Sequence, residues 1–354
     1  MKPFTYAALP AKVVFGFGTI GQLGAEIEAL GCRSAMLLTT PQQAQSAAML
    51  AEQLGKLWSC SFAEAAMHTP VDVTERALAQ VRGTGSDCLV AIGGGSSIGL
   101  GKAIALRTGL PQIAVPTTYA GSEATPILGQ TEGGRKTTQR ALEVLPETII
   151  YDVDLTLTLP VGISVTSGVN AIAHAVEALY ARDANPIITS LAAQGIRSLM
   201  RALPGIVRNP QDANARSDAL FGAYACGVCL GAVGMSVHHK LCHTLGGSFD
   251  LPHAETHAVI LPHAVAYVAP EAPEAMARLS DLLGGGDPAA ELFELARNLG
   301  SPTSLAAIGM PQSRLDEAAD LACSSPYWSP RAVERRAIRA LLENAFHGRR
   351  PQHF

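Results

Sequence analysis

Short apolar runs alternate with helical spacing along the first part of the chain. The runs are KVVFG at 12–16, SAMLLTT at 34–40, WSCSFA at 58–63, CLVAIG at 88–93, QIAVPTT at 112–118 and TIIYDVD at 148–154. Between them, segments such as 73–81 and 98–106 repeat apolar residues every three or four positions. Such alternation predicts parallel βαβ units with helices on the faces of a Rossmann-like sheet. After Leu159 and Pro160 the strand pattern stops, and Ala, Leu, Glu and Arg fill long periodic stretches. These break at Asn209-Pro210, at 284–288, at Ser301-Pro302 and at Pro311, which predicts an all-helical second domain. The expected division is an α/β dinucleotide-binding domain over 1–157 and a helical substrate and catalytic domain over 158–354. The Gly284-Gly285-Gly286 run reads as a helix-to-helix turn.

Length agrees, since 354 residues exceed what one hydrophobic core usually serves. With 48% hydrophobic residues, 16% charged residues and a net charge of -4, neither a nucleic-acid surface nor a membrane surface is indicated. The start MKPFTYAALPAKVVFG shows no apolar core behind a basic leader, and a cytoplasmic location is expected. Seven scattered cysteines, an odd number, fit reduced thiols. Cys226 and Cys229 have redox or zinc spacing, but they sit in an Ala/Gly/Val-rich helical stretch with no second pair, which favours core packing.

Two glycine clusters are candidates for holding phosphate. Gly16, Gly18 and Gly21 match G-x-G-x-x-G after a strand, but the place of the ribose-binding acid, about twenty residues on, reads Leu38-Thr39-Thr40-Pro41. The second cluster runs Gly93-Gly94-Gly95-Ser96-Ser97 from an apolar strand into a helix, where backbone N–H groups and a helix N-terminus would favour an anion. The next strand ends in a hydroxyl-rich loop, PTTYAGSE at 116–123, the edge where ligands bind in open parallel sheets. Gly94, Gly95, Ser96, Thr117, Thr118, Thr39 and Thr40 are therefore the candidate cofactor residues. No acid stands at Thr39 or Thr40 to repel a 2'-phosphate, so both NADH and NADPH are expected cofactors.

Six of the ten histidines fall within residues 238–263. His239 and His243 are four apart, as are Asn170 and His174 upstream, so each pair shares a helix face. His253, His257 and His263 follow. Such a cluster serves either metal binding or proton and anion handling near neutral pH.

At these residues the chain resembles the iron-containing alcohol dehydrogenases, which have the dehydroquinate synthase-like fold, and among them the maleylacetate reductases. The glycine turn at 93–96 and the threonine loop at 116–123 match the family's motifs, and the likeness spans nearly the whole chain. The resemblance implies a metal set of one aspartate and three histidines, which falls on Asn170, His174, His239 and His253. Asn170, however, carries no charge for a divalent ion. Gly99 replaces the aspartate usual after GGGSS, and Tyr119 stands inside the threonine loop. Asn170 together with HHKLCH and SFDLPHAETHAVILPH resembles the maleylacetate reductases, for which the likeness implies activity without added metal. The set is then vestigial, and no metal is expected.

The implied reaction reduces the C=C bond of maleylacetate, a small dicarboxylate, to 3-oxoadipate in aromatic-compound degradation. Charge then develops on an enolate, which histidine N–H donors can stabilise. His174, His239 and His253 are assigned to that pocket and His243 to proton donation, while Asn170, Lys240, Tyr119 and His257 are expected to contact substrate. Arg331, Arg349 and Arg350 are further candidates for carboxylate contact. A homodimer is the expectation from the family. Alternatives are a metal-dependent alcohol or polyol dehydrogenase, with Asn170 binding through its amide oxygen, and a dehydroquinate synthase-like lyase. A non-catalytic nucleotide-binding protein is a third.

Overall fold

The computed structural model describes residues 3–133, 135–324 and 327–353. By internal contacts the chain forms two compact units, Leu9–Leu159 and a second comprising Met1–Ala8 with Pro160–Phe354. The division falls two residues past the one expected, and the N-terminal segment belongs with the helices.

In the first unit, the six strands read from the apolar runs are β1 (Lys12–Gly16), β2 (Ala35–Leu38), β3 (Trp58–Phe62), β4 (Cys88–Gly93), β5 (Gln112–Pro116) and, late in the unit, β8 (Thr148–Asp152). They form one parallel sheet in the order β1-β8-β5-β4-β2-β3. The four inner strands are buried along their whole length, as continuous apolar runs require, whereas the edge strands β1 and β3 keep exposed positions. Helices α1 (Leu23–Ala29), α2 (Ala44–Leu54), α3 (Val71–Thr84) and α4 (Gly95–Thr108) complete the βαβ units. Leu23 and Ile27 of α1 and Ala47, Leu50 and Ala51 of α2 close one core with Leu37, Val90, Val115 and Ile150 of the sheet.

An antiparallel hairpin, β6 (Ile127–Glu132) with β7 (Arg135–Arg140), was not legible in the pattern. Its second strand, RKTTQR, has no apolar alternation.

The second unit is helical: α5 (Val161–Tyr180), α6 (Pro186–Arg208), α7 (Ala213–Ala232), α8 (Val237–Phe249), α9 (His253–Val268), α10 (Pro273–Leu283), α11 (Pro288–Asn298), α12 (Leu315–Cys323) and α13 (Arg335–Phe346). Asn185, Asp212 and Asp287 accept backbone N–H bonds as N-caps of α6, α7 and α11. Gly284, Gly285 and Gly286 all take positive φ between α10 and α11, the turn read from the sequence. From Ser164 to Tyr180, α5 is buried all round, so it is the central helix of its unit. Cys226 and Cys229 are buried thiols in α7 whose pKa values burial raises, which fits packing rather than redox chemistry. Among the described residues no single helix is long and apolar enough to cross a membrane.

Candidate active site

In the sheet unit, the chain leaves β2 outward to β3 and returns on the other side of β2 to β4. The topological switch point therefore lies between the carboxyl ends of β2 and β4, where open α/β sheets bind their ligands. Thr39 and Thr40 follow β2, and Gly94, Gly95 and Ser96 follow β4. Register pairs Gly93 with Pro116, and Thr117 N–H donates to the Gly93 carbonyl at 3.0 Å, which brings Thr117 and Thr118 to the same edge. All seven candidate cofactor residues are thus gathered at one end of the sheet.

Sterics explain the glycines. A Cβ on Gly93, whose φ is +139°, would lie 2.5 Å from Gln43 Oε1 and 2.7 Å from Ser97 Oγ; one on Gly94 would lie 2.9 Å from Thr118 Cγ2. Gln43 is a link the sequence reading missed: its Nε2 donates to Thr117 Oγ1 at 3.0 Å, and its Oε1 accepts from Thr40 Oγ1 at 3.3 Å. Helix α4 opens with no acid in its first turn, which suits a pyrophosphate. The other glycine cluster is filled from within: Gly18 N–H and Ile20 N–H donate to the Asp152 carboxylate at 3.1 and 2.8 Å, and Gly18 N–H reaches Asp154 at 3.0 Å. The literal G-x-G-x-x-G at Gly16 therefore holds protein carboxylates. Tyr119, assigned to the substrate, lies in this unit and is fully buried.

In the helical unit, α5, α8 and α9 bring Asn170, His174, His239, His243, His253 and His257 together. Asn170 and His174 face one way from α5, and Glu177 lies three residues beyond His174 on the same face. With the Asn170 amide nitrogen 3.4 Å from His174 Nε2, that nitrogen accepts, so the His174 proton sits on Nδ1. Nδ1 donates to His239 Nε2 at 2.9 Å, and His239 Nδ1 donates to Glu177 Oε2 at 2.6 Å. All four side chains are buried.

Glu177 anchors this chain. Its carboxylate also accepts from the backbone N–H groups of Ser236 at 3.0 Å and His238 at 2.8 Å, at the start of α8. Burial alone would raise its pKa, but the charge and hydrogen bond of His239, the charge of His238 and the backbone donor outweigh burial and bring it to about 2. The buried acid fixes which ring nitrogen of His239 turns inward.

His257 lies at the centre of the remaining rings, with centroids 4.3 Å from His253, 4.8 Å from His238, 5.0 Å from His239 and 6.0 Å from His174. It is fully buried, and neither ring nitrogen has a hydrogen-bond partner among the described residues. Burial, then the surrounding imidazoles, push its pKa well below the usual histidine value. Asn170 Oδ1 is likewise buried without a partner among the described residues. Unsatisfied polar atoms of this kind are costly unless a guest completes them. His243 is half-buried, its ring perpendicular to that of His239 at 6.0 Å. His238 instead ties α8 to α9, donating from Nε2 to the His257 carbonyl at 3.1 Å; burial and His239 lower its pKa to about 4.

The remaining candidates have partners of their own. Lys240, one residue after His239, places its ammonium 5.7 Å over the Tyr327 ring. Arg331 stacks on Tyr267 and donates to its carbonyl, and Arg350 pairs with Glu294 at 2.6 Å. His263 packs its ring edge toward Phe293, away from the cluster's contacts.

Residues 10–153 match the iron-containing alcohol dehydrogenase family, and residues 164–346 match the C-terminal part of the Fe-containing alcohol dehydrogenase family. The chain belongs to the iron-containing alcohol dehydrogenases. Within that family it is 58% identical to a maleylacetate reductase of Rhizobium sp. strain MTP-10005, over 99% of this chain and 100% of the relative. It is 52% identical to a maleylacetate reductase of Sphingobium indicum, over 98% and 99% of the two chains. The crystal structure of maleylacetate reductase from Agrobacterium tumefaciens superposes with a TM-score of 0.95 at 58% identity, covering 99% of this chain and 100% of that one.

Proposed function

We propose that this protein is a maleylacetate reductase, using NADH or NADPH to convert maleylacetate to 3-oxoadipate without a metal. The observation that carries the reading is the Asn170–His174–His239–Glu177 chain, which puts a neutral amide where the family resemblance implies a charged metal ligand, beside a buried His257 whose ring nitrogens have no partner among the described residues. The nitrogens of His174, His239 and His257 come within 4.8 Å of one another, close enough for a shared ion. That three-histidine set does not suit iron: it supplies no carboxylate, both ring nitrogens of His174 and of His239 are committed to side-chain hydrogen bonds, and the buried Glu177 carboxylate, which groups with His238 and His239, is taken up by His239 and two backbone N–H groups.

The cofactor residues fit a nicotinamide dinucleotide, whose pyrophosphate Gly94–Ser96 at the start of α4 would hold. When bound, the dihydronicotinamide supplies a hydride to the alkene carbon remote from the ketone. The substrate's electron pair then moves onto the ketone oxygen, and the imidazole N–H of His257, whose ring nitrogens have no partner among the described residues, stabilises that enolate. A proton delivered to the carbon next to the ketone completes 3-oxoadipate; half-buried His243, beside His239, is the donor.

Supporting this over an alcohol dehydrogenase is the chemistry itself, because a conjugated alkene needs enolate stabilisation rather than a Lewis acid on an alkoxide. The neutral Thr39 and Thr40 support use of NADPH beside NADH. The reading extends to a cytoplasmic homodimer, with Phe15 on edge strand β1 and Phe17 just beyond it both exposed. The test is NADH and NADPH oxidation with maleylacetate, compared with simple aldehydes and with alcohol oxidation. Rapid oxidation with maleylacetate alone is expected; turnover of simple alcohols or aldehydes instead would overturn the assignment.

A further inference from the structure

Lys102 has no part in the reaction described above, yet it is one of the largest fully buried side chains, with 1% exposure. It lies seven residues after Gly95 on α4, the helix whose first turn is assigned to the pyrophosphate. Its ammonium donates to the carbonyls of Ser122 at 2.6 Å, Thr125 at 2.7 Å and Ile127 at 3.0 Å, and it lies 3.0 Å from Thr125 Oγ1. All four oxygens belong to the segment that continues the Thr117–Thr118 loop into β6. Glu123 of this segment is also buried, and its carboxylate accepts from Tyr151 Oη at 2.8 Å on β8.

We propose that Lys102 is a positioning residue for the nucleotide: its ammonium fastens the 116–127 segment to α4 and so holds Thr117 and Thr118 against the glycine turn. The inference rests on the reading that this turn and these threonines bind the cofactor. A hydrocarbon side chain of the same length would take the ammonium donor from the Thr125 and Ile127 carbonyls, while the Ser122 carbonyl keeps the Thr125 N–H and hydroxyl as donors. Burial pulls the Lys102 pKa down to about 7, an effect Glu123 opposes, and the oxygen cage favours the ammonium further. The fit of loop to turn is close enough to feel such a release, as the 2.9 Å approach of a Gly94 Cβ to Thr118 shows.

The test is calorimetric titration of NADH into the wild type and the Lys102→Met variant, with no substrate present, followed by kinetics. The expected result is NADH affinity weakened by about tenfold to a hundredfold, the ratio set by losing charged hydrogen bonds, with KM for NADH raised and KM for maleylacetate unchanged. A lysine that only braced the fold would lower Tm and leave the NADH affinity of the folded protein alone. If Lys102→Met does not fold, Thr125→Val removes one acceptor and should weaken NADH binding by about threefold or more. A folded variant that binds NADH within about twofold of wild type would overturn the proposal. Absence of NADH binding by the wild type would instead overturn the cofactor assignment beneath it.

Discussion

The Glu177 carboxylate of α5 and the His239 imidazole of α8 meet at 2.6 Å, both out of contact with solvent. Glu177→Gln keeps the shape but turns an amide toward backbone and imidazole donors that need an acceptor. We expect kcat for maleylacetate reduction to fall by about 10- to 100-fold. Unfolding stability should drop by about 3–5 kcal/mol, the cost of breaking a buried pair. Steady-state kinetics and thermal unfolding of one preparation check both.

His243→Ala tests the proton donor. Loss of general acid catalysis lowers kcat by about 10²- to 10⁴-fold with KM for maleylacetate nearly unchanged. An unchanged kcat would move the role to half-buried His253.

Asn170→Asp introduces the carboxylate that the family resemblance implies for a metal set. The variant should bind Fe(II) or Zn(II) where the wild type does not, and lose maleylacetate turnover as a new carboxylate faces a dianion. Calorimetric metal titration beside the kinetic assay reports both changes.

Thr40→Asp places an acid where ribose recognition occurs in dinucleotide folds. KM for NADPH should rise by about tenfold or more while KM for NADH changes little, since the acid repels only the 2'-phosphate. Equal effects on both cofactors would remove Thr40 from the ribose site.

Stability should fall at mildly acid pH. Burial lowers the His263 pKa from an ordinary 6.5 to about 4, so the unfolded chain binds its proton first. The contribution is intact above pH 6.5 and is lost as pH falls toward 4, a change on the order of 3 kcal/mol. His238 and His257 act in the same direction. Unfolding midpoints measured over this range should decline for the wild type and decline less for His263→Leu.

The six sheet strands were legible because each is a short apolar run ended by turn residues, and the helical half because its periodicity is long and punctuated by proline and glycine. The β6–β7 hairpin was not, since polar RKTTQR carries no face preference. Glu177 escaped notice because a glutamate in HAVEALY reads as a solvated helix position; its burial depends on the start of α8, about sixty residues away. Lys240 follows His239 by one helical step, about 100° around α8, which sets its ammonium over the Tyr327 ring, a contact that sequence spacing does not show. The G-x-G-x-x-G at Gly16, a literal match without its ribose-binding acid, has a use that sequence could not show: Asp152, distant in sequence, fills the turn with its own carboxylate.

The most direct test of a metal-free histidine pocket is elemental analysis of purified protein, paired with the initial rate of maleylacetate-dependent NADH oxidation before and after exhaustive chelation. The account predicts far less than one metal ion per chain and an unchanged rate. Stoichiometric iron or zinc, with activity abolished by the chelator and restored by the ion, would contradict it.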